Sequence, residues 1–385
     1  MSARISAAML ALGLAAPLTP LLTSGASAVE DGDRRAATIS LLGNGLGHGH
    51  GMSQYGAQSR ATDGQSHDKI LGFYYPGTRV GRATGNVSVQ ISADRTRDVI
   101  VAARSGLTVK QVAGTKVVKA SRAKPTATRW RIVPLTGSRS RIDFFRSRWR
   151  TLATWKGAAE FAAAGRPVTL FATSKLRVAY RGKLRAIGGD TVNILPLDDY
   201  LKGVVPEEVP ALWHPQAVQA QAIAARTYAA YERRRPLARH YQICDTTQCQ
   251  VYGGSSAEHA ASNRAISATA HEVRTSGGQP AFTQFSASNG GWTSAGSFSY
   301  LPAKPDPFDK VYRGWTDSVS AAEVQRAYPA IGTFQRAEIV KRDGNGQWGG
   351  RVLSIRLVGT NTSTVIPGES FRSVFGLNST YFTLS

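Results

Sequence analysis

One stretch limits the fold more than any other. Residues 215–235 read PQAVQAQAIAARTYAAYERRR. Ala, Gln and Arg are good helix formers, and Pro215 suits a first helical turn. Val218, Ala222, Ala225 and Ala229 recur at helical spacing. With so many alanines, neighbouring segments can approach this helix closely on more than one face. The pattern predicts a central, buried helix ended by Arg233, Arg234, Arg235 and Pro236.

Around it the chain reads mostly as strands. Alternation predicts strands near 87–91, 107–112, 129–133 and 176–180, and YRGKL at 180–184 reads as a hairpin turn. A second Ala-rich helix is expected over 257–269, and strands return at 337–342, 352–357 and 382–384. Earlier, residues 44–78 form a Gly/His-rich loop and then a short helix that Ser53 can cap. Strands and helices are segregated, so the expected class is α+β, with the central Ala-rich helix packed on mostly antiparallel strands.

The chain has 385 residues, with 47 Lys+Arg against 25 Asp+Glu, a net charge of +22. It is long enough to bury a large core. Two cysteines exclude a disulfide-dense miniprotein and a four-cysteine zinc module. No P-loop, dinucleotide fingerprint or HExxH helix is present. At the amino terminus Arg4 precedes an apolar stretch, and Ala26-Ser27-Ala28 has the form of a signal-peptidase site. Residues 1–28 are therefore read as a signal peptide, leaving a secreted, extracytoplasmic chain without a membrane span. Export makes nucleic acid a poor partner and anionic wall polymers a good one. The segment RSRIDFFRSRWR at 139–150 is either a polymer-binding strip or a strand with one solvated basic face.

Chemistry concentrates just before the central helix. Pro206 and Pro210 bracket Glu207 and Glu208 and limit their backbone freedom. Val209, Leu212 and Trp213 supply apolar neighbours, and an apolar wall keeps a carboxylic acid protonated near neutrality. Such a group serves as a general acid on a glycosidic oxygen. The alternative is a solvated pair, or a charge serving the helix N-terminus.

Several stretches resemble the SpoIID/LytB family. They are LPLDDYLKGVVPEEVPALWHPQAVQAQAIAARTYA, FSASNGGWT, YLPAKPDPFD and RSVFGLNSTYFTL, with GLGHGHGMSQYGAQ and ILGFYYPGT. The resemblance implies a peptidoglycan lytic transglycosylase that cleaves the MurNAc–GlcNAc bond and leaves a 1,6-anhydro-MurNAc end. It places the acid at Glu208, in Glu208-Val209-Pro210, where Val stands for the family's usual Met. The family name also implies an alternative, a non-catalytic glycan-binding module that enhances a separate amidase. Peptidoglycan strands are the implied partner in both.

The GHGHGMSQYGA stretch opens the chain here, whereas in the family it normally follows the GLxSTxF stretch. This order implies a circular permutation, so residues 29–80 are expected to pack on the core beside the C-terminal strand. Residues 81–165 would be a β-rich subdomain and 166–385 the SpoIID-like core. Expected substrate contacts are His48, His50, Gln54 and Tyr55 on the first loop and helix. Arg226, Ser288, Asn289, Trp292 and Thr293 are expected to join them, Trp292 as a stacking platform. Some relatives hold zinc through two Cys and two His. Here only His240, Cys244 and Cys249 remain, with Gln248 where a ligand His is expected. A Cys244–Cys249 disulfide is the expectation, with no metal or other cofactor.

Overall fold

The computed structural model describes residues 38–385. The expected signal peptide lies outside the described residues. Among the described residues no helix is long and apolar enough to cross a membrane.

Two sheets build the first half. One runs in the order Trp149–Lys156, Arg139–Phe145, Arg129–Leu135, Val99–Ala102, Val168–Phe171 and Arg177–Tyr180. The other runs Ile243–Cys244, Asn86–Gln90, Asp190–Pro196, Lys183–Ile187, Ala159–Ala162, Thr108–Gln111 and Val117–Lys119. Pairing is antiparallel except between Ile243–Cys244 and Val89–Gln90. Val89, Val101, Val109, Trp130, Ile132 and Leu184 come from both sheets and share one apolar core. The fold is α+β.

Two sequence expectations change here. Strands on both sides of residue 165 alternate within the same two sheets, so no structural boundary falls there. Nor is 180–184 a hairpin: Arg177–Tyr180 and Lys183–Ile187 belong to different sheets. Gly182, at φ +73°, carries the chain between them, and a Cβ there would fall 2.3 Å from the Ile194 carbonyl oxygen.

The central helix spans Pro215–Glu232, with the His214 ring accepting the Gln216 amide at its start. One face packs Val218, Ala222, Ala225 and Ala229 into the sheet core. The other packs Ala217, Ala220, Ile223 and Ala224 against the helices Gln54–Thr62 and His67–Tyr74. Small side chains are what allow both contacts. Arg226 lies between these layers at 0% exposure. Its Nε donates to Asp198 at 2.6 Å, and its Nη atoms donate to the Glu272 and Ile266 carbonyls.

The first described strand meets the last. The strand Thr38–Asn44 pairs antiparallel with Arg313–Ser320 on one edge and Phe382–Leu384 on the other. Leu41 faces Leu384 and Gly43 faces Phe382. Two buried aspartates tie the following loop and helices down. Asp309 accepts from Ser53, Ser288 and the Asn289 amide. Asp306 accepts from Arg60, Tyr74 and Asn289.

Removing the Arg226 guanidinium would leave two carbonyls and Asp198 without their donor. Arg226→Ala is expected to lower the unfolding free energy by about 3 kcal/mol in urea titration. A loss within about 0.5 kcal/mol, the range of an ordinary surface change, would contradict its structural role.

Candidate functional site

Glu208 ends a single helical turn, Val205–Glu208. Pro206 lies in the turn's first positions, and Val205 is buried in the sheet core. Val209 is forced out of helical geometry, at φ −138° and ψ 149°, because Pro210 follows it. The side chain of Glu208 therefore leaves a fixed backbone. Glu207 beside it is exposed.

Glu208 opens into a cavity of about 380 Å³ lined by Gly47, His48, Tyr228, Gln248, Phe285 and Arg372, among others. Among the described residues no other carboxylate lines it. Five other parts of the chain converge there on Glu208: the glycine loop, the central helix, the disulfide loop, the stretch 284–287 and the helix that carries Arg372. Gln54 Nε2 donates to Glu208 Oε2 at 3.3 Å, and the Val251 amide donates to Oε1 at 3.3 Å. Burial raises the carboxyl's pKa above its ordinary 4.5, against the pull of those two donors, and Glu207 adds a small push upward. The drying does not come from the sequence neighbour Leu212, which is 83% exposed. It comes from side chains distant in sequence, Tyr228 and Phe285 among them.

His48 is the ring of the glycine loop that reaches this cavity. Its Nδ1 accepts the His50 amide at 2.9 Å, which puts the ring proton on Nε2. Burial, with His50, Arg351 and Arg372 nearby, lowers its pKa to about 3. The ring is neutral at any physiological pH. The loop needs glycine for close approach: a Cβ on Gly49 would fall 2.1 Å from the Arg351 guanidinium, and its φ is +75°. Ser286 Oγ accepts the Gly49 amide at 3.1 Å.

The other residues singled out in the sequence lie elsewhere. His50 stacks on His48, ring centroids 5.1 Å apart, with Nδ1 3.3 Å from the Ser294 carbonyl. Tyr55 packs edge-on against Trp213 and Tyr312 outside the cavity. Ser288 and Asn289 are fully buried and spend their polar atoms on Asp306 and Asp309. Thr293 is buried, with Oγ1 bonded to the Pro302 carbonyl. Trp292 bridges to Pro305 and does not line the cavity. Arg226 is consumed inside the core, as described above. These side chains satisfy the loop that shapes the cavity rather than facing it.

Cys244 and Cys249 form a disulfide. That leaves no thiolate for a metal, and His240 Nε2 sits 2.6 Å from Asp190 Oδ2. The three donors considered for zinc therefore do not suit it. The disulfide loop has another use, since Thr247, Gln248 and Val251 border Glu208. The close Cys pair bracketing residues 245–248 was the available signal for these contacts. Arg372, on the helix Gly368–Phe375, had none. Among the described residues His67, Asp68 and Glu272 each bring a ligand atom within 4.8 Å of the others. That trio is separate from the cavity, and Arg274 Nη1 lies 3.6 Å from Asp68.

Two predictions follow from the ionisation states. A glutamate whose folded pKa is raised destabilises the fold once pH rises above its unfolded value. Glu208→Gln should therefore raise the melting temperature at pH 7, with the gain vanishing below pH 4.5. A lower melting temperature at pH 7 would show that the ionised form is favoured instead. The His48 ring, followed by two-dimensional NMR, should show no protonation between pH 8 and pH 5; a midpoint near 6.5 would refute the burial assigned to it.

The family model described as stage II sporulation protein, SpoIID, matches residues 187–275, which include Glu208. The chain is 38% identical over 130 residues to the amidase enhancer of Bacillus subtilis (strain 168), covering 32% of this chain and 17% of that protein. It is 29% identical over 225 residues to the stage II sporulation protein D of the same organism, covering 50% of this chain and 61% of that protein. An uncharacterized protein of Brachyspira hyodysenteriae is 35% identical over 133 residues, 33% of this chain and 36% of that protein. The chain thus spans less than two thirds of each of these relatives. The match to the SpoIID family runs through the segment that carries Glu208 and the central helix.

Proposed function

We propose that the chain acts on the bacterial cell wall as a peptidoglycan lytic transglycosylase, with Glu208 as its acid and then its base. One observation carries this reading: among the described residues Glu208 is the sole carboxylate lining an open cavity, and burial favours its protonated form. An ordinary glycosidase needs two carboxylates, the second to activate water or attack the sugar. A single one suffices when the nucleophile belongs to the substrate.

Glu208 donates its proton to the bridging oxygen between MurNAc and GlcNAc. The C1–O bond breaks, and its electron pair leaves with the GlcNAc oxygen. The MurNAc ring takes on oxocarbenium character. The carboxylate then accepts the proton of the same sugar's 6-hydroxyl as O6 bonds to C1. No water is consumed, and the ring closure gains from proximity. The amides of Gln54 and Val251 steady the carboxylate in its ionised phase. Tyr228 and neutral His48 are among the polar side chains lining the cavity, available to sugar hydroxyls.

A second reading is favoured by the relative named amidase enhancer. There the same cavity would hold glycan without turnover and present it to a separate amidase. Both readings place the protein at the wall.

Purified glycan strands incubated with the protein and analysed by mass spectrometry decide between them. Wild type is expected to release 1,6-anhydro-MurNAc ends. Glu208→Gln should lose about a thousandfold in rate while retaining glycan binding, and Glu207→Gln should keep most of the turnover. Full turnover in Glu208→Gln would remove the role assigned. Absence of anhydro ends with wild type, together with stimulation of an added amidase, would establish the second reading.

A further inference from the structure

The sheet-rich half carries two hollows that share no residue with the Glu208 cavity. The larger, of about 700 Å³, lies at the rim between the two sheets, with Arg97, Arg139, Gly188, Gly189 and Asp190 on its walls. The smaller, of about 420 Å³, is walled by Arg185, Arg239, His240 and Tyr241. Ile187 belongs to both, so the two adjoin. Asp190 on one side and His240 on the other meet across the junction at 2.6 Å.

We propose that these joined hollows form a trough for a linear polyanion whose charges are phosphodiesters and which carries no nucleobases. Four arginines face one aspartate along the walls. Arg97 and Arg239 are exposed and hold no ion pair among the described residues. Arg139 is bonded through Nε to the Thr136 carbonyl, 3.4 Å away, and so keeps its charge unpaired. Arg185 is committed to Glu160 at 2.8 Å and shapes the wall. Free, planar guanidinium groups match phosphate oxygens in pairs, and arginine is favoured over lysine for that reason.

The lining also narrows the polymer class. Among the described residues the larger hollow has no Phe, Tyr or Trp, and the smaller has one, Tyr241. Successive bases are held by stacking on a series of aromatic faces, so a groove with a single such ring suits a flexible chain of charges. The basic stretch 139–150 does not act as one strip. Arg141 is neutralised by Asp143 at 3.0 Å, as is Arg131 from the neighbouring strand at 2.6 Å. Arg139 is the arginine of that stretch that reaches the trough. From the smaller hollow the chain runs through Ile243–Cys244 directly to residues 247–251 at Glu208. A polymer held in the trough would thus anchor the protein one strand away from the glycan cavity. The trough does not depend on turnover at Glu208.

The test is fluorescence anisotropy with labelled poly(glycerol phosphate). Changing Arg97, Arg139 and Arg239 together to Gln should weaken binding at least about tenfold and flatten its salt dependence. A charge-matched control, Arg79, Arg326 and Lys341 to Gln, removes exposed charges outside both hollows. It should stay within about twofold of wild type. Single-stranded DNA and polygalacturonate of equal charge should bind more weakly than the polyol phosphate. Equal losses in the two triple variants would overturn the trough, as would DNA or polygalacturonate binding as tightly as the polyol phosphate. The altered side chains are exposed, and superimposable thermal melts check the fold. Arg97→Gln alone, in a loop, provides a milder variant with about a threefold expected loss.

Discussion

Two aspartates without solvent contact hold the functional half of this molecule together. Asp306 and Asp309 are each 0% exposed. A buried carboxylate is tolerated only when its oxygens are bonded, and breaking such a network costs far more than a surface contact. Asp306 takes the Arg60 guanidinium at 2.9 Å, the Tyr74 hydroxyl at 2.6 Å and the Asn289 amide at 2.8 Å. Asp309 takes the Ser53 hydroxyl at 2.7 Å and the Asn289 backbone amide at 2.6 Å. These bonds join residues 53–74 to residues 288–309. Ser53 in turn caps the helix that begins with Gln54, so the same network delivers the amide that reaches Glu208.

The site is then a balance between drying and bonding. Burial drives Glu208 toward its protonated form, while two amide donors favour the anion. A group meant to give up a proton and take one back needs access to both states, and neither influence should overwhelm the other. The neighbouring His48 is held neutral, so it adds no charge to the cavity and leaves Arg372 as the lining cation. The central helix makes the convergence physically feasible. Its alanines let the sheet core and the small helices sit close on either side, bringing Tyr228 and the Gln54–Thr62 helix within reach of one pocket.

Much of this was legible in the residues. The helix over 215–232 and the fixed backbone at Glu208 follow from alanine spacing and proline placement. Local chemistry carries such signals. Legibility failed where a side chain's task is set by residues far along the chain. Ser288, Asn289 and Thr293 look like exposed polar loop residues, yet they feed buried carboxylates and carbonyls. Arg226 looks like a helical surface cation, yet it bonds two carbonyls inside the core. Leu212, four residues along a bent chain from Glu208, reads as its drying neighbour, and it points to solvent instead. The turn at Gly182 has a hairpin's composition, but its flanking strands join different sheets, a choice that long-range pairing makes.

The central claim is that one carboxyl, held in a partly dry cavity, keeps its proton more tightly than a free glutamate does. Following the Glu208 side-chain carbonyl carbon by NMR from pH 3 to pH 8 measures this directly. The account predicts a midpoint above the ordinary 4.5, displaced further when a glycan fragment fills the cavity and excludes water. A midpoint at or below 4.5 in both states would mean that the donors from Gln54 and Val251 dominate, and that Glu208 is a structural anion rather than an acid.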